Sequence, residues 1–141
     1  MLLPSGTIYC RLPRRLAAMF YDGLLLVAIW MLATAIVVIP ADGEIDPGHL
    51  VFRIYLLVVT WTYFAICWRG GQTLGMKAWR IRLIAAEQPI GWITTLVRFT
   101  VATASLLCFG LGFIWSIFHP HRATWHDLAS GTVLIVEPRK G

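Results

Sequence analysis

The chain has 141 residues, of which 58% are hydrophobic and 13% charged, with a net charge of +5. A soluble domain is roughly 45–50% apolar and about 25% charged. One domain therefore fits, but a water-soluble globule does not, and the basic residues flank apolar blocks in the manner of membrane orientation signals rather than a nucleic-acid surface.

The first block opens with Arg14 and Arg15 and runs from Leu16 to Ile39, with Pro40 ending it. A bilayer span needs about 20 mostly apolar residues, so this block is long enough. It exceeds a signal-peptide h-region and no polar mature start follows Ala33-Thr34-Ala35, so a retained span is expected. Asp22 lies inside it. A charge at mid-helix costs roughly 2.5–3.5 kcal/mol on insertion scales, so this carboxylate needs a partner or water. Arg15 is seven residues earlier, about two turns or roughly 10 Å along the same face. Arg98, itself inside an apolar block, is the obvious counter-charge for Asp22, and it is expected to pair with either Asp22 or Asp127.

A polar loop with Asp42, Glu44 and Asp46 follows, and Leu50 to Trp68 supplies a second span with Arg53 near its start. Gly70, Gly71 and Gly75 then break the helical pattern. Trp79, Ile81 and Leu83 alternate with Arg80 and Arg82, so Met76 to Ile84 is predicted as a strand, with a turn at Glu87-Gln88-Pro89 and a small hairpin. The third apolar block, Trp92 to Phe118, is interrupted by Gly110 and Gly112. In the tail, Thr132 to Val136 is predicted as a second strand that shares an apolar face with the first.

Arginine and lysine cluster before span one, after span two and in the tail (Arg122, Arg139 and Lys140). With all three groups cytoplasmic, the number of crossings is even and the third block bends back on itself near the paired glycines. The competing arrangement is one straight third helix with the tail outside. The expected fold is thus an all-α membrane protein: two transmembrane helices, a third block bent into a helical hairpin, and a small cytoplasmic β element. Trp68, Trp79, Trp92, Trp115 and Trp125 fall near block ends, where an aromatic belt lies.

Several sharper motifs fail on inspection. GGQTLGMK has Met76 where a phosphate loop needs lysine, and no Ser or Thr follows Lys77. His119, His121 and His126 lack zinc-type spacing, so no metal is expected. Cys10, Cys67 and Cys108 are scattered and odd in number, which reads as reduced thiols. No nucleophile–base pair is evident, so no enzyme and no cofactor are expected.

RRLAAMFYD, GQTLGMKAWRIRL and WHDLASGTVLIVE, in this order around apolar blocks, resemble the RDD family of small integral membrane proteins. The family's arginine and two aspartates match Arg15, Asp22 and Asp127, and its G-[QA]-T-x-G loop matches Gly71, Gln72, Thr73 and Gly75. A basic residue usually follows the second glycine; here Met76 stands there and Lys77 comes next. Arg98 matches an arginine near the start of the third block. The resemblance covers about residues 13–136 of a single 1–141 domain. It implies an integral membrane protein surrounded by lipid. With the charge count above, the expectation is a multi-pass protein of the bacterial inner membrane with both termini cytoplasmic. Because so few spans hardly enclose a pathway, it is expected to work as a homo-oligomer or with partner membrane proteins. Ion–proton exchange is proposed for some members. A half-buried carboxylate can exchange a proton for a cation, which would make Asp22 the working residue. A structural or accessory role, with the charges locking helix packing, is the alternative. Arg15, Lys77 and Asp127 are expected to cluster at the inner membrane surface.

Overall fold

A computed structural model describes residues 7–41, 46, 48–85 and 88–138. Asp42 and Glu44 of the acidic loop, Glu87 of the expected turn, and Arg139 and Lys140 lie outside the described residues.

A two-residue strand, β1 (Ile8–Tyr9), leads into α1 (Leu12–Val38), which starts one turn earlier than the apolar run because Pro13 is preset for a first helical turn. α2 (Leu50–Arg69) follows; the His49 ring accepts a bond from Val51 N at its start, and Gly70 and Gly71, the latter at φ +84°, end it. Both helices are long and apolar enough to cross a membrane. Their large side chains point outward, with Phe20 66% and Met31 70% exposed in the isolated chain. In water such surface is prohibitive, whereas in lipid it is the solvated face.

After α2 the chain departs from expectation. Met76 to Ala78, predicted as strand, belong to the short helix α3 (Leu74–Ala78), capped by Thr73, whose hydroxyl accepts from Met76 N. The cap and the glycine at position 75 outweigh the alternation pattern, which holds only further on. The strand is β2 (Ile81–Ala85). Among the described residues its partner is not the chain after residue 89, so the expected local hairpin does not form there. β2 pairs with the tail.

The third block forms α4 (Trp92–Leu107) and α5 (Leu111–Phe118), bent by 99° at the break. Phe109 and Gly110 adopt positive φ there, 56° and 73°, so the expected bend falls where the glycines placed it. Gly112 has a different task. A Cβ there would come within 2.3 Å of Ser105 Oγ, so its absence lets α5 close onto α4. α6 (Trp125–Ala129) and β3 (Thr132–Val136) complete the described chain.

β3 is the central strand of an antiparallel sheet in the order β1-β3-β2, with Ile8 opposite Val136 and Ile81 to Ala85 opposite Val136 to Thr132. Tail, N-terminal segment and post-α2 loop are thereby held in one sheet. Its inner face buries Ile81, Leu83 and Leu134 against Cys10, Ala18 and Trp68. Each such aliphatic burial stabilises by about 1.5–3 kcal/mol. Arg82 alternates outward and pairs with Glu137 at 2.9 Å in the open, an interaction of small worth.

Candidate functional site

α6 begins with a capping box. Thr124 accepts from the amide of Asp127, and the Asp127 carboxylate accepts from Thr124 N at 3.1 Å. That cap fixes Asp127, fully buried, facing two arginines from other elements. Arg15 of α1 donates through Nη1 to Asp127 Oδ2 at 2.5 Å, and Arg98 of α4 donates to Oδ1 at 2.6 Å. The other donors of Arg15 are also used, whereas Arg98 Nε is buried without a hydrogen-bond partner among the described residues. Arg15 Nη2 reaches Arg122 O at 2.7 Å and its Nε reaches Cys10 O at 3.3 Å. Arg98 Nη1 also reaches Thr132 Oγ1, and its guanidinium carbon lies 5.0 Å from the Trp68 ring centre.

Electrostatics follows from this packing. Burial alone would raise the Asp127 carboxyl, but Arg98 and Arg15 outweigh it and hold the group well below the usual carboxylate range. His126 is pushed down to about 3, first by burial and then by the Arg98 charge, so its ring is neutral. Burial pushes the Cys10 thiol up.

Asp22 stands apart. Of the two carboxylates expected for Arg98, Asp127 is the one it takes, and among the described residues no ion pair involves Asp22. Its carboxylate is 4% exposed and held by neutral donors. Thr73 Oγ1 donates to Oδ2 at 2.5 Å, Gly75 N to Oδ1 at 2.9 Å, and Tyr63 OH to Oδ1 at 3.1 Å. Gly75 makes this possible. A Cβ there would fall 2.1 Å from Ala18 O and 2.9 Å from the Asp22 carboxylate, so only glycine lets α3 sit on α1.

The loop motif divides in the same way. Thr73 and Gly75 hold Asp22. Gly71 O accepts from Leu83 N, and Gln72 Nε2 donates to Ile81 O, which fastens the loop to β2. Lys77 is exposed and lies outside the Arg15–Asp127 cluster, contrary to expectation. Sequence reasoning missed Tyr63, Thr132 and the role of Thr124. The Thr124-x-x-Asp127 spacing was a readable capping signal, whereas nothing around Tyr63 marks it. No metal-holding group of three His, Cys, Asp or Glu occurs among the described residues.

Two long apolar helices, a bent apolar pair and charges buried among them define an integral membrane protein. The family model described as the RDD family matches residues 9–131, and the chain belongs to that family. No curated protein and no solved structure matches it.

Proposed function

We propose that this chain is a small ion/proton-linked transporter of the bacterial inner membrane, acting as an oligomer, with Asp22 as the exchanging carboxylate. One observation carries the reading: Asp22 is buried, held in place by three neutral donors, and has no cationic partner among the described residues. A fixed counter-charge would compete with any cargo; neutral donors position the group and leave its charge available to a proton or a cation. Family membership supports the membrane setting. Two spans and a bent pair wall only part of a pathway, which is why the reading needs further copies.

The orientation in this proposal has both termini cytoplasmic. It is supported by the sheet, since a bilayer cannot separate hydrogen-bonded strands, and by the basic residues near them, including Arg11, Arg14, Arg80 and Arg122.

A structural or accessory role is the second reading. The Arg15–Asp127–Arg98 cluster favours it, because one carboxylate ties α1, α4 and the tail together. Cation-dependent proton flux in proteoliposomes made with the purified chain tests the choice. Flux that depends on Asp22 supports the first reading. No flux by a folded protein supports the second.

A further inference from the structure

Two cavities meet at Asp22. One, of about 140 Å³, lies between the charged cluster and the rings of Phe64, Trp68, Phe99 and Phe113. The other, of about 560 Å³, is a cleft among α1, α2 and α4 that passes Gly23, Trp30 and Thr60 and reaches Arg53. Asp22, Met19, Phe64, Phe99, Thr103 and Leu106 line both, so the two adjoin along these side chains. Trp30 and Leu57 on the cleft wall are 40% and 54% exposed, which places its mouth on the apolar outer face of the helices.

We propose that the cleft, at its border with the smaller cavity, binds a lipophilic organic cation, taken up from the bilayer, with its charge beside Asp22 and its apolar bulk in the cleft. The proposal rests on the transport reading above and narrows its cargo. The buried carboxylate supplies the charge complementarity. The walls then select the kind of cation. A hard inorganic ion such as Ca²⁺ takes about 6–8 oxygen ligands. Here, among the described residues, the side-chain oxygens on the walls come from Asp22, Thr60 and Thr103 alone, and both hydroxyls already donate to carbonyls of their own helices. A quaternary ammonium or phosphonium needs no such shell, and aromatic faces stabilise it. Arg15 and Arg98 also border the small cavity, carrying one positive charge more than Asp127 cancels. That excess repels a cation from the far wall and confines it to the Asp22 end.

The test uses the full chain in lipid nanodiscs and two ions of the same shape and opposite charge, tetraphenylphosphonium and tetraphenylborate, measured by equilibrium dialysis. Saturable binding is expected for the cation and none for the anion. Asp22→Asn removes the charge. Gly23→Leu fills the cleft, and because a Cβ at Gly23 meets nothing within 4 Å, it does so without displacing backbone. Each is expected to weaken cation binding by about tenfold or more, equivalent to about 1.4 kcal/mol, with melting unchanged. Equal binding of the two ions, or undiminished cation binding in either variant, overturns the proposal. A chain that exchanges sodium for protons yet binds no tetraphenylphosphonium overturns it while leaving the transport reading intact. Specific cation binding without flux supports the site and removes transport. No binding by the parent chain, with an oligomer lost in Gly23→Leu, assigns the cleft to a second copy and overturns it too.

Discussion

Asp127 and Asp22 are both buried carboxylates, yet they carry opposite consequences. Asp127 neutralises two arginines at once, so Asp127→Asn leaves both guanidinium groups short of charge. The expected loss is about 3–5 kcal/mol, the usual cost of breaking a buried pair, read as a large fall in melting temperature in detergent. Asp22→Asn should cost little. An amide oxygen can still accept from Gly75 N and Tyr63 OH, and the amide nitrogen can donate to Thr73 Oγ1. Acid should also act through this corner. In the unfolded chain His126 takes a proton near 6.5, but in the fold only at about 3, so stability is lost as pH falls across that window. Asp127 adds to the loss further down, because its unfolded carboxyl protonates near 3.8 while the folded one resists. Melting temperature should therefore fall between pH 7 and 4, and His126→Gln should flatten the part of that fall above pH 5. That Arg98 pairs with a buried carboxylate was legible, since an arginine inside an apolar block must find an acid, but the choice between Asp22 and Asp127 was not. The partners of Asp22 were not, because a hydroxyl and a backbone amide carry no charge signature.

At the scale of elements, two glycines set how closely helices approach, and they should respond differently to alanine. At Gly75 the obstacle is the backbone carbonyl of Ala18, which cannot move without α1. Gly75→Ala should cost about 1–3 kcal/mol through overpacking and should also detach the donor that faces Asp22. At Gly112 the obstacles are side chains, Ser105 and the Trp125 ring, and because the Ser105 hydroxyl has no partner to lose, its rotamer change can relieve the tightest of these contacts. Melting curves of the two variants should rank them in that order. Sequence reading located α1, α2, β3 and the bend, because length and composition alone define them. It misplaced the start of β2. Alternation over Trp79 to Leu83 was real, but extending it back to Met76 ignored Thr73 as a helix cap.

For the whole molecule, the sheet β1-β3-β2 joins three distant segments, and only the pairing of loop and tail was foreseeable, because two residues of β1 are too few to show a period. The sheet also sets the topology prediction. In a background with Cys10, Cys67 and Cys108 replaced by alanine, Pro138→Cys should be labelled only from the cytoplasmic side and Asp46→Cys only from outside. Labelling of both from one side would remove the even-crossing arrangement. The central claim is that Asp22 is held by neutral donors so that its charge can be exchanged, and cation-driven proton flux in proteoliposomes tests it most directly, comparing the parent chain with Asp22→Asn of equal melting temperature. Flux in the parent and none in the variant is the expected result; equal flux in the two, or none in either, would contradict it.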